Sequence, residues 1–123
     1  MLAVISPAKK LDESPLPRPL PSSTMALERD SRILLRTARA RSQAELKDLM
    51  GISDALAALN HERFQVMSDT FTEDNAQQAA TLFAGDTYAG LDARSLSPQD
   101  LEWAQDHLVI LSGLYGALRP LDL

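Results

Sequence analysis

Val109-Ile110-Leu111-Ser112-Gly113-Leu114-Tyr115-Gly116 is the stretch on which the fold turns. An apolar run with two β-branched residues meets Ser-Gly and then a second glycine, the pattern of a buried strand ending in a turn. At the other end of the chain, Leu2-Ala3-Val4-Ile5 has the same character and stops at Ser6-Pro7. Helical periodicity fills the space between, and strands separated by helices predict a mixed α/β fold over a helical bundle. Two strands alone make a marginal sheet. The expectation is therefore a small buried sheet with about five helices, forming part of a larger single domain.

The first helix is predicted over residues 24–40. Leu27, Leu34 and Ala38 share one face, and Arg29, Arg32, Arg36 and Arg39 share the opposite one. Ser42-x-x-Glu45 is a capping box opening a short helix through Leu49. Gly51 breaks that helix, Ser53 can cap the next, and Ala55–Phe64 continues the helical pattern. Thr72 is expected to cap a fourth helix carried by Ala76, Ala79, Ala80 and Phe83 and stopped by Gly85. Ser97-Pro98 opens a fifth, with proline at its favoured first position. Pro15, Pro17, Pro19 and Pro21 exclude helix and central strand from the arm at 11–23, so it reads as extended chain wrapping its own domain. A ligand for an SH3-type module is its functional alternative.

With 123 residues, 45% apolar and 24% charged, the composition is that of a globular domain burying roughly two thirds of its unfolded surface. The absence of cysteine excludes a disulfide scaffold, a thiolate nucleophile and cysteine-based zinc or iron–sulfur sites. No apolar run approaches the ~20 residues of a membrane span, and no basic region precedes the first strand as in a signal peptide. A cytoplasmic protein without membrane association is expected. The net charge of −5 hides an asymmetry: residues 1–50 carry nine Lys/Arg and six Asp/Glu, and residues 51–123 carry three and eleven. Segregation of this kind can leave one cationic face on an acidic protein.

Two constellations could carry function. Leu46-x-x-Leu49-Met50-Gly51-Ile52-Ser53-x-x-x-Ala57 fits a helix-hairpin-helix spanning about 42–64, with Ile52 plugging the gap and Ala57 allowing close helix crossing. Gly51, Ile52 and Ser53 would turn backbone N–H groups toward a phosphate of duplex or distorted DNA. Serine replaces the second glycine usual in that motif, and Asp54 sets a carboxylate beside the phosphate position. The arginine stripe could add sequence-independent phosphate contacts. The second constellation lies at strand ends, where α/β folds bind ligands. If the two strands are parallel neighbours, Lys9, Ser112, Tyr115 and Arg119 could converge, with Asp86 and Tyr88 added from Gly85-Asp86-Thr87-Tyr88-Ala89-Gly90. No phosphate-binding or dinucleotide glycine motif is present, so no cofactor is expected. His61 and His107 lack a second ligand at helical spacing, and no metal site is expected.

Together, Leu2-Ala-Val-Ile-Ser-Pro-Ala-Lys9, Leu49-Met-Gly-Ile-Ser-Asp-Ala-Leu56 with Asn60 and Arg63-Phe64, Phe83–Leu91 and Leu111–Asp122 resemble the YaaA family of bacterial peroxide-stress proteins. The resemblance covers the whole chain, with Lys10 standing where the family usually has threonine. It implies a cytosolic protein linked to hydrogen peroxide, low free iron and DNA binding, of which residues 1–123 form the N-terminal portion. On it rests the leading expectation, a protein that binds DNA without sequence specificity and shields it from iron-driven oxidation. Gly51, Ile52 and Ser53 would then present the backbone, and Lys9, Lys10 and Arg119 the charge. The alternative is an enzyme acting on a nucleotide or nucleobase at the strand-end cleft, using Lys9, Asp86, Tyr88, Tyr115 and Arg119. A third is an interaction scaffold displaying the proline arm; no protein partner can be named.

Overall fold

The computed structural model describes residues 1–123 and shows a mixed α/β fold. In chain order the elements are β1 (Ala3–Ile5), β2 (Lys10–Leu11), α1 (Glu28–Arg39), α2 (Gln43–Met50), α3 (Asp54–Val66), α4 (Ala79–Leu82), β3 (Phe83–Ala84), α5 (Asp86–Leu91), α6 (Pro98–His107), β4 (Leu108–Ser112) and β5 (Gly116–Leu118). They divide into two units, residues 1–28 with 71–123 and residues 29–70.

In the first unit β1 pairs in parallel with β4, as the strand-end argument required, and β5 adds antiparallel to give the order β1-β4-β5. Ile110 and Leu118 point into a core with Leu20, Met25, Ala79, Ala80, Phe83, Tyr88 and Leu101. The alternation puts Val4 and Leu111 on the other face, where both are more than half exposed. The expectation that Leu2–Ile5 is buried is thus corrected: β1 is an edge strand with one bare face. β2 and β3 form a separate two-stranded antiparallel ribbon, Lys10 opposite Ala84 and Leu11 opposite Phe83.

The fourth predicted helix shrinks to α4. Thr72 instead closes a turn, its N–H donating to the Asn75 side chain at 2.9 Å, and Phe83 leaves the helix to pair with Leu11. The proline arm lies on its own unit: Gln78 donates to the carbonyls of Leu20 and Pro21 at 3.1 and 3.0 Å. Ser23 completes the attachment, donating its hydroxyl to Asp122 at 2.6 Å. Asp122 is fully buried and also accepts from the Arg119 N–H at 2.8 Å and the Arg119 guanidinium at 3.1 Å.

The second unit is three helices, built largely by their ends. Ser42 accepts from the Glu45 N–H while Glu45 accepts from the Ser42 N–H at 2.8 Å, the reciprocal box that the sequence predicts. Ser53 caps α3 by accepting from the Leu56 N–H. α2 and α3 pack on each other, with Leu46 and Ala57 almost wholly buried. On α1 the buried residues are Ser31 and Leu35, and Leu34 is exposed. This rotates the helix away from the predicted apolar face, for a reason visible in Arg39. Its guanidinium donates to the carbonyls of Phe64 and Met67 at the end of α3 and to Asp69. A cation there meets the negative end of the helix dipole and satisfies carbonyls that the helix leaves unpaired.

Candidate functional site

Antiparallel pairing of β2 with β3 carries Lys10 opposite Ala84, one residue before the turn at Gly85. Gly85 has φ of 132° and ψ of −178°, a backbone conformation essentially confined to glycine. The chain then enters α5 with Asp86 in its first turn. Between ribbon and helix opens a cleft of about 380 Å³ whose lining includes Lys10, Asp12, Phe83, Asp86, Tyr88 and Arg94. That volume lies within the usual ~300–1,000 Å³ range of small-molecule sites.

The charged groups around it fall into two classes. Arg94 is committed: its guanidinium pairs with Asp12 at 3.3 Å and donates to the carbonyls of Asp12, Ser14, Pro15 and Thr81. It pins the start of the proline arm to the cleft wall. Asp12 is held below the usual aspartate range, first by the hydroxyl and N–H of Ser14 and, with smaller effects, by Arg94 and Lys10. Lys10 and Asp86, by contrast, are exposed and form no ion pair. They are the cation and the carboxylate available to a ligand.

Tyr88 lines the cleft with its hydroxyl already engaged. The phenol donates to the Ser6 carbonyl at 2.6 Å, tying the end of β1 to α5, and burial pushes its pKa up. Its ring lies 5.6 Å from that of Phe83 at an angle of 40°, and both residues, largely buried in the core, reach the cleft lining. The other strand-end residues do not line this cleft. Lys9 is exposed on the link between β1 and β2. Tyr115 packs edge-on against Phe71 at 5.8 Å, and burial raises its pKa as well. Arg119 is bound to Asp122 and to the Thr24 carbonyl, holding the chain's last turn in place. Ser112 accepts from the Tyr115 N–H, and none of Lys9, Ser112, Tyr115 and Arg119 lines the cleft that Lys10, Asp86 and Tyr88 share. Arg94 and Asp12 escaped sequence reading because they meet across 82 residues and neither lies in a helix or strand whose pattern could link them.

The corner between α2 and α3 is exposed at Gly51 and Ser53 and half-buried at Ile52. Gly51 takes the left-handed conformation at φ 61°, as the turn demands. Its N–H and that of Ile52 both donate to the Lys47 carbonyl, so neither is the free donor that a phosphate grip at these positions needs. Lys47 itself pairs with Asp54 at 2.8 Å, which raises the lysine pKa and offsets its charge. The arginine stripe is likewise partly spent, since Arg36 and Arg39 both engage Asp69. A nucleic-acid-binding helix-hairpin-helix is thus not established by the corner. No group of three or more His, Asp or Glu side chains is placed to hold a metal ion, and no helix is long and apolar enough to cross a membrane.

A family model described as peroxide stress protein YaaA matches residues 1–123. The chain belongs to that family. Among curated relatives, each called a UPF0246 protein, one from Delftia acidovorans is 53% identical over 123 residues, covering 99% of this chain and 47% of the relative. One from Paracidovorax citrulli is 54% identical, covering 99% and 48%. A third, from Saccharophagus degradans, is 52% identical over 124 residues, covering 100% and 48%. This YaaA-family chain spans about half the length of the curated relatives it matches.

Proposed function

We propose that this peroxide stress protein binds a nucleotide or nucleobase in the cleft between the β2–β3 ribbon and α5. The observation that carries this is that exposed Lys10 and Asp86 line one cleft together with Phe83 and Tyr88. An ammonium matches a phosphate, a carboxylate accepts from the N–H groups of a base, and an apolar wall takes its face. Asp86 is also the group there able to take a proton from a bound substrate, whereas the Tyr88 phenol is engaged and kept protonated. Calorimetric titration of the chain with nucleoside monophosphates and with inorganic phosphate tests this. Lys10→Ala is expected to weaken nucleotide binding at least tenfold, and failure of all nucleotides to bind at millimolar concentration would overturn it.

A second mode, binding DNA without sequence specificity and protecting it from iron-driven damage, is favoured by one feature of the α2–α3 corner. With Gly51 and Ile52 bonded inward, the exposed first turn of α3 at Ser53, Asp54 and Ala55 retains backbone N–H groups not used by the helix. Asp54 opposes a phosphate there, so Asp54→Asn is expected to raise DNA affinity. Fluorescence anisotropy with duplex and bubble DNA at two salt concentrations decides: affinity falling steeply with salt supports this mode, and flat or absent binding removes it.

A further inference from the structure

The sheet of the first unit is finished on one face only. Ile5, Leu108, Ile110 and Leu118 turn toward the core, and the last three are buried. Val4, Val109, Leu111 and Ala117 alternate to the opposite face, adjacent to one another through the Val4–Val109 and Leu111–Ala117 register pairs. Leu2, Val4 and Leu111 are 57%, 54% and 51% exposed. The β1–β4 pair is parallel, an arrangement that in wholly parallel sheets goes with cover on both faces, and β1 is moreover an edge of the three-stranded order. A contiguous apolar face beside an open edge marks a surface that another element covers.

We infer that this face is the docking surface for the part of the family's length that the present chain does not match. The size of the missing cover is set by the relatives: about half of each, over a hundred residues, lies outside the matched region. That is enough chain to supply a helical layer over the bare face and a strand along β1. Covering Leu2, Val4 and Leu111 removes their apolar surface from water and pairs the outward N–H and C=O groups of the edge.

The test co-expresses this chain with the unmatched part of the Delftia acidovorans relative as a separate, tagged polypeptide. A 1:1 complex by light scattering is expected, with β1 amide exchange slowed at least tenfold. Val4→Glu and Leu111→Glu together should abolish the complex while leaving the circular dichroism of the chain unchanged. Absence of a complex overturns the inference, as does a complex indifferent to those substitutions. Self-association of the chain that the same substitutions abolish also overturns it, since the face would then belong to a second copy. If the separate piece does not stay in solution, a chimera with this chain replacing the matched part of the relative serves instead. There the two substitutions should lower Tm by several degrees more than in the chain alone, and equal shifts would overturn the inference.

Discussion

Residues 29–70 and residues 1–28 with 71–123 are stabilised by different kinds of interaction. The first set is continuous in sequence: local caps open α2 and α3, and bonds from Arg36 and Arg39, none spanning more than 33 residues, tie α1 to the end of α3. Ser42 with Glu45 and Ser53 with Leu56 are three residues apart. The second set closes over long separations: β1 pairs with β4, and the Ser23–Asp122 bond spans 99 residues. Their charge differs too, with seven Lys/Arg against six Asp/Glu in 29–70 and five against eleven in the remainder. A helical unit assembled from local signals tolerates the loss of one of them. A unit closed by a few distant contacts should not.

The largest predicted effect is at the long-range closure. Asp122→Ala removes a fully buried carboxylate and leaves the Ser23 hydroxyl and the Arg119 N–H without their acceptor. A loss of about 3 kcal/mol is expected in urea denaturation, and a change within about 0.5 kcal/mol would remove the contrast between the units. Next comes Gly116→Ala. Gly116 has φ of 75°, and an added Cβ would lie 2.5 Å from Leu27 Cδ1 and 3.3 Å from its Cβ. The same assay should show a cost of about 2 kcal/mol.

In the helical unit the corresponding probes are smaller. Ser42→Ala and Ser53→Ala should each cost about 1 kcal/mol, with faster amide exchange confined to α2 or α3 and the strands untouched. Spread of that exchange into β4 would show the local description to be wrong. Asp69 supplies the pH probe. Hydrogen bonding to Arg39 first, with Arg36 adding, holds its acid below the usual 3.8. Its stabilising effect is therefore complete above that value and fades as pH falls through the lower folded value. Asp69→Asn should lower Tm slightly at pH 7 and leave it equal to the parent near pH 2. A gap that persists at low pH would mean that the carboxylate's charge is not what Arg39 needs.

The mutational contrast follows how much of each region was legible in the sequence. Ser42 and Glu45, Gly51, Ser53, and Ser97 before Pro98 announced their helices, because a cap is decided within three or four residues. α5 went unread, being six residues opened by a glycine without a side-chain cap. The arginine stripe was visible as a pattern, but Arg36 and Arg39 acquired their role from Asp69, which no periodicity connects to them. At the candidate site, Asp86 and Tyr88 were legible in sequence, whereas Lys10 was expected only as a charge toward DNA. Arg94 and Asp12 were not legible, and Arg119 belongs instead to the Asp122 cluster.

The sequence by itself determined the alternation of helices and apolar strands, the helix starts, the mixed α/β class and the lack of any thiol chemistry. Periodicity, capping residues and composition are short-range properties and need no partner to be expressed. Only tertiary structure decided that Lys10 would face Ala84, that the Tyr88 phenol would be spent on Ser6, and that Val4 and Leu111 would share an uncovered face. A two-residue strand has no pattern of its own and exists only once a distant segment supplies its hydrogen bonds. An apolar strand, likewise, does not record in its sequence which of its faces will be covered.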